Sequence, residues 1–360
     1  MKIIKNNSLL IIVIILSLFG LLMIYSSSYV WAEYKFNNPY KYLISQSIFL
    51  IIGIILLLVI RRIDYHIYQK YSNSIIIICF ILLVLVLIPG IGKLRNGSRS
   101  WFGIASFGIQ PSEFLKIGLT IFVSKYLSNN EKIIKNIKKG IFPILVIIFI
   151  FLLLIMLEPD FGQAFVITLS LILLIFISGT KLSFFVKCMI LGLFGIIVLV
   201  IIAPYRMARI VSYLNPWTDP LGSGFQIIQS LYAIGPSGLL GKGLFNSVQK
   251  HFYLPEPQTD FIFAIISEEL GFLGILIVVS LFLFIFYKSI KISLSSKDLF
   301  GKYLSFGLAI QILIQATLNL AVVTGLIPVT GVTLPFISYG GSSLLVSMIS
   351  IGIILSINNN

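Results

Sequence analysis

Charge is what this sequence has least of. Only 11% of its 360 residues are Asp, Glu, Lys or Arg, where a water-facing globule carries about 25%. A soluble globule is therefore excluded. Disorder is excluded too, because 58% of the residues are hydrophobic and disordered chains are poor in such residues. Two cysteines, Cys79 and Cys188, both in apolar runs, make no disulfide framework. Two histidines, His66 and His251, stand alone, so no zinc or haem ligand set can be written and no metal site is assigned. The sequence has no dinucleotide fingerprint, Walker loop, HEXXH motif or Cys-His cluster, and ATP is not indicated as an energy source.

What is present is apolar length. The mean hydropathy is +1.06, and apolar runs fall at about 8–30, 42–60, 74–90, 112–127, 141–158, 163–179, 183–203, 260–287, 303–324 and 335–356. At roughly 20 residues per crossing, this predicts an all-α polytopic membrane protein of about ten transmembrane helices, a single membrane domain over 1–360. The first run is too long for a signal-peptide core and no small-residue cleavage site follows it, so it is expected to be a retained span.

The net charge of +14 is explained by topology without nucleic acid. With the N-terminus inside, the inner loops hold Lys2, Lys5, Arg61, Arg62, Lys70, Lys132, Lys135, Lys138, Lys139, Lys181, Lys187, Lys288, Lys291, Lys297 and Lys302. The short outer loops hold only Lys35, Lys41, Lys93, Arg95 and Arg99. The positive-inside rule then places both termini in the cytoplasm. Most acidic residues lie the other way, on the outer face or at the outer mouths of spans, so the chemistry is sought there. Between the seventh and eighth spans, about 204–259, a long Gly- and Pro-rich outer loop carries aromatic and amphipathic pieces; loops of this length are usually functional.

Four groups of residues are candidates. Asp260 stands where that loop meets a span, after Pro255-Glu256-Pro257. It reads either as a helix start, with Thr259 as N-cap and Asp260 in the first turn, or as a catalytic carboxylate. Glu268 and Glu269 lie about two turns into the span, where a charge costs about 2.5–3.5 kcal/mol. They point about 100° apart and cannot share one partner; they read as a structural network between spans or as a wet functional site. Glu158-Pro159-Asp160 is an acidic corner, either a plain turn or a site. In Trp101–Lys116 (WFGIASFGIQPSEFLK), Pro111 and Glu113 are ordinary helix-start residues, Glu113 and Lys116 can pair at i,i+3, and Trp101 can be an interfacial anchor. The functional alternative is a lipid pyrophosphate gripped by Lys116 with Arg95, Arg99, Arg206 or Arg209. The Gly- and Ser-rich PFISYGGSS at 335–343 reads as close helix packing.

Taken together, GIQPSEFLKI, LEPDFGQA, YLPEPQTDFIFAIISEELGFLG and LPFISYGGSSLLVS resemble the SEDS family (shape, elongation, division and sporulation), which includes FtsW, RodA and SpoVE. The loop is more similar to the FtsW/SpoVE branch. The resemblance implies a peptidoglycan glycosyltransferase that polymerises lipid II into β-1,4-linked glycan at the outer face of the bacterial cell membrane, in division or sporulation. It assigns catalysis to Asp260 and substrate binding to Trp101, Glu113, Lys116, Glu158 and Asp160; Arg206 and Arg209 are added as substrate-binding cations from their chemistry. Glu268 and Glu269 remain intramembrane structural acids. Members often carry His where this chain has Gln258, so no proton transfer is assigned there. The family implies a class B penicillin-binding protein, a transpeptidase, as partner; a divalent cation (Mg or Mn) is compatible but unplaced. Two rival functions fit the same sequence, a proton-coupled lipid flippase or transporter and a non-catalytic scaffold for the transpeptidase.

Overall fold

The computed structural model describes residues 2–95, 98–104, 107–202, 207, 213–222 and 224–359. Helices α1 (Lys2–Phe36), α2 (Lys41–Ile60) and α3 (His66–Leu87) lead into a small antiparallel sheet, β1 (Lys93–Arg95), β2 (Ser98–Ile104) and β3 (Phe107–Ile109). After it come α4 (Pro111–Asn129), a π-turn (Ile137–Ile141) feeding α5 (Phe142–Leu157), α6 (Phe161–Ile177) and α7 (Leu182–Ile202). The long loop contains the short amphipathic α8 (Phe225–Ile234), and α9 (Ile262–Ser295), α10 (Leu299–Val323) and α11 (Gly341–Asn359) complete the chain.

Among the described residues, seven helices are long and apolar enough to cross a membrane: α1, α2, α3, α5 with its π-turn, α9, α10 and α11; α6 is a shorter apolar helix. The chain is thus a polytopic helical membrane protein. Three short strands accompany the helices, β2 and β3 pairing Phe102 with Ile109, aromatic and branched residues suited to a pleated surface. Helix α4 falls short of span-like apolarity because it is enclosed. Ser112, Glu113, Lys116, Thr120 and Ser124 are buried among its neighbours, and a helix wrapped in protein has no need of an apolar face toward lipid. Helix α3 begins at His66 rather than near 74, since its polar first two turns extend the helix beyond the apolar run. The last helix begins at Gly341; 335–340 forms a turn.

Two cores build the bundle. One joins α1, α2, α9, α10 and α11 through residues such as Leu16, Leu57, Ile265, Leu308 and Met348; the other joins α3, α4, α5 and α6 through Leu83, Leu119, Ile148 and Ile167. Contacts also sort the loops into two ends. At one end, Asn359 reaches the Arg61 carbonyl at 3.2 Å and Tyr65 donates to Asp298 at 2.7 Å. At the other, Ser98 bonds the Glu158 carbonyl, Ser342 bonds the Gly108 carbonyl and the Tyr339 amide bonds the Gln258 carbonyl at 2.8 Å. The first end carries the loops expected inside, the second those expected outside.

Helix α9 is broken at Gly271, whose φ of 64° and ψ of −159° are non-helical. Two rungs of the helix ladder are lost there, and the outer loop replaces both. The Glu268 and Glu269 carbonyls accept from the Lys242 and Gly243 amides, each at 2.9 Å, while the Phe272 and Leu273 amides donate to the Gly238 and Leu239 carbonyls at 2.9 and 3.1 Å. Gly241, at φ 72°, lies against this break, where a Cβ would come within 2.4 Å of the Glu269 backbone. Gly271 occupies a region open essentially to glycine alone, and a side chain there costs about 1–3 kcal/mol before any clash. Gly271→Ala is therefore expected to lower the melting temperature in detergent, because its Cβ also meets Gly241 and Leu239 backbone atoms at 2.4–2.6 Å. Gly192→Ala, with open space around the helical glycine, leaves the melting temperature unchanged.

Candidate active site

The sequence candidates gather at the end of the bundle that holds the sheet and the long loop. Helix α4 starts at Pro111 and presents Glu113 and Lys116 inward, one turn apart. They form the i,i+3 pair at 2.7 Å with side chains only 3% and 2% exposed. Two buried charges require further partners. Lys116 donates to Gln315 Oε1 of α10 at 2.6 Å, and Gln163 of α6 donates to Glu113. Gln315 in turn donates to the Thr333 carbonyl and the Ser343 hydroxyl, both at 3.1 Å. The Lys116 ammonium is thus committed to Glu113 and Gln315 rather than turned to the surface.

The acidic corner joins the same network. Asp160 caps α6, accepting from the Gln163 amide at 3.1 Å, and its other oxygen accepts from Gln110 Nε2 at 2.7 Å. Burial raises the Asp160 carboxyl to about 6, with the Glu113 charge adding and the Gln163 amide, Lys116 and Gln110 opposing. Glu158 is fully buried, and among the described residues neither carboxylate oxygen has a hydrogen-bond partner. Burial, with Asp160 adding, raises it to about 8. The corner is a turn and a polar site at once.

Asp260 is half-buried just before α9. The helix-start reading does not hold: the N-cap is Phe261, with no side-chain cap bond, and Thr259 instead donates to the Glu256 carbonyl at 2.7 Å and bonds Asp260 Oδ1 at 2.9 Å. The Asp260 backbone is fixed from α10, where Asn319 Nδ2 donates to its carbonyl at 2.6 Å and to that of Val332 at 2.8 Å. Gln315 and Asn319 lie one turn apart on one face of α10, so one helix face holds both the Lys116 ammonium and the Asp260 main chain. Gln258, where the family often has His, is buried with its side-chain oxygen unpaired.

Glu268 and Glu269 each receive a lysine of their own, as their divergent directions require. Lys242 reaches Glu268 at 2.7 Å, and the wholly buried Lys250 reaches Glu269 at 2.9 Å. Ser26 of α1 donates to Glu269 at 2.7 Å, and Ser247 and the Gln249 amide donate to Glu268 at 2.5 and 3.2 Å. The network runs mainly between α9 and the long loop, with Ser26 reaching in from α1 to both Glu269 and Lys250. Lys242 and Lys250 were not among the sequence candidates. Their signal is two lysines in the long loop, close ahead of a span that carries two acids. The polar face of α10, Gln311, Gln315 and Asn319 at intervals of four, was equally readable and equally missed.

Trp101 is half-buried on β2, paired with Lys93 of β1. Arg206 and Arg209 lie outside the described residues. Among the described residues no three of His, Cys, Asp and Glu converge as a metal-holding group. The donors present do not make a protein cage for Mg or Mn, and no step is routed through such an ion.

Residues 6–360 match the family model for cell cycle proteins of the FtsW, RodA and SpoVE type. The chain belongs to this family. It is 51% identical to stage V sporulation protein E of Bacillus subtilis (strain 168) over 97% of this chain and 96% of that protein. It is 40% identical to a probable peptidoglycan glycosyltransferase FtsW of Geobacter sp. (strain M18), over 97% and 95%. Its fold matches a chain from a structure describing the coordination of polymerization and crosslinking by a peptidoglycan synthase complex, with a TM-score of 0.77 at 27% identity, covering 98% and 96% of the two chains. Rod shape determining protein RodA of Thermus thermophilus shares the fold, with a TM-score of 0.72 at 24% identity over 98% and 96%.

Two measurements probe this member of the family. Glu158 binds its proton more tightly when folded, so stability falls as pH rises from its ordinary range through about 8. Melting scans between pH 5 and 9 are expected to show that decline, and Glu158→Gln flattens it. Lys250→Met strands Glu269 without its cation and costs about 3–5 kcal/mol, whereas Lys250→Met with Glu269→Met recovers most of that loss; denaturation of the single and double variants measures both.

Proposed function

We propose that this protein polymerises lipid II into β-1,4-linked glycan at the outer face of the bacterial cell membrane, in cell division or sporulation. Both termini lie in the cytoplasm, the ten long helices α1–α7 and α9–α11 are the spans, and 204–259 faces outward. The observation that carries the reading is Asp260: a half-buried residue just before α9, its main-chain carbonyl held by Asn319, one turn along α10 from the Gln315 that binds Lys116.

In this reading Asp260 takes the proton from the 4-hydroxyl of the acceptor's N-acetylglucosamine. The oxygen attacks C1 of the donor's N-acetylmuramic acid from the face opposite the leaving group. The C1–O bond breaks with its electron pair going to undecaprenyl pyrophosphate, and the configuration at C1 inverts. Trp101, Glu158 and Asp160 line the lipid II site. Glu113 and Lys116 act as fixed buried charges behind it, and the arginines of the outer segments, Arg206 and Arg209 among them, meet the pyrophosphate. The names of the relatives support the activity, and the synthase complex supports a class B penicillin-binding protein as partner. The flippase reading loses its main argument, because Glu268 and Glu269 are tied to lysines rather than lining a proton path.

The test is polymerisation of labelled lipid II by purified protein, alone and with its transpeptidase. Wild type is expected to give glycan ladders, and Asp260→Asn to lose about 10²–10⁴ in rate, the worth of a general base, with melting temperature and lipid II binding retained. Full activity in the folded variant overturns the assignment; lipid II transbilayer movement without ladders transfers the function to a flippase.

A further inference from the structure

The lysines at the end of the bundle away from Asp260 are not spread evenly. Lys132, Lys135 and Lys138, from the α4–α5 connection, and Lys181, from the α6–α7 connection, line one open cavity of about 570 Å³ together with Asn136 and Ile137. No carboxylate lines it; Glu131 borders a neighbouring hollow of about 340 Å³. The positive-inside rule accounts for the number of inner lysines but not for their convergence from two separate loops on one cavity, where like charges repel.

The loops that carry them are built to hold that arrangement. Ile134 is wholly buried. Gly140 packs so closely on the Ile133–Ile134 backbone that a Cβ would lie 2.3 Å from the Ile133 carbonyl oxygen. The Asn136 side chain accepts from the Lys139 amide at 3.4 Å, and its carbonyl accepts from the Gly140 amide at 2.7 Å. Across the cavity, Thr180 is buried and donates to the Ile175 carbonyl at 3.1 Å, which fixes the turn that presents Lys181. Just beyond the cavity, Phe142 and Leu182, the first residues of α5 and α7, are 60% and 66% exposed. The cavity lysines are thus followed along the chain, at the starts of two apolar helices, by exposed apolar side chains.

We infer that this cavity binds the phosphate headgroup of an anionic phospholipid, with its acyl chains against Phe142 and Leu182. The phosphate alone would be satisfied by a soluble anion; the apolar residues that follow commit the site to lipid. Basic pockets between helices at the cytoplasmic face are suited to such headgroups. The inference concerns a site separate from Asp260 and stands whether or not the protein polymerises lipid II.

The experiment is native mass spectrometry of the full-length protein in neutral detergent, titrated with phosphatidylglycerol or phosphatidylcholine. Phosphatidylglycerol is expected to be retained in preference. Each lysine near an anionic surface contributes roughly fivefold, so Lys135→Gln/Lys138→Gln/Lys181→Gln lowers that retention by at least about tenfold. The control Lys70→Gln/Lys288→Gln/Lys291→Gln removes as much charge at the same end and retains it. Melting temperatures show that both triple variants are folded. Equal retention of the two lipids, or loss of phosphatidylglycerol equally in both variants, overturns the site. Displacement by glycerol phosphate at the same headgroup concentration overturns its assignment to a lipid.

Discussion

A helix interrupted inside a membrane exposes backbone groups that no solvent is there to satisfy, and each one left open costs several kcal/mol. At Gly271 this chain meets that constraint with its own long loop, which makes four bonds to the four backbone groups that two lost helical rungs leave open. The requirement then propagates. The loop must approach within backbone contact, which demands glycine at both 241 and 271. The acids at the end of the half-helix must be neutralised, which fixes Lys242 and Lys250. With the loop seated there, the chain between Lys250 and Phe261 is tethered at one end by the ion pairs and at the other by Asn319. Asp260 sits at the second tether.

The same economy of buried polar groups governs the interior of the bundle. Glu113 and Lys116 are a charge pair in a helix almost entirely enclosed by protein. Two glutamines from different helices, Gln163 and Gln315, add hydrogen bonds to the pair, and Gln315 extends them to Thr333 and Ser343. Four segments distant in sequence are thereby held to one polar core. Buried polar networks are costly when incomplete and specify one arrangement when complete. Here the network lies at the end of the bundle where the carboxylates collect.

The sequence disclosed the helices readily, because a run of some twenty apolar residues has one physical meaning. Acid placement and the length of the long loop pointed to the end of the bundle where these groups gather, and the i,i+3 spacing of Glu113 and Lys116 was itself a geometric statement. What sequence could not supply was pairing across long separations. Nothing local to Glu269 names Lys250 or Ser26, and nothing local to Asp260 names Asn319. The cap expected at Thr259 failed because α9 starts later, with Phe261 as its N-cap, while the Thr259 hydroxyl donates to the Glu256 carbonyl. The sheet escaped notice because its strands are short and lie in a segment otherwise read for aromatic and basic residues. A polar face on an apolar helix, as in α10, was the clearest unread signal.

The order of the ion-pair partners along the chain has a consequence for how the protein is made. In the proposed topology, where 204–259 faces outward, Lys242 and Lys250 leave the ribosome before Glu268 and Glu269, so the cations are already on the far side when the acids arrive at the lipid. The half-helix carrying those acids is a poor membrane segment by itself and a good one beside its loop. Insertion of α9 is thus coupled to prior translocation of the segment ahead of it, and the two lysines act as a counter-ion delivered in advance.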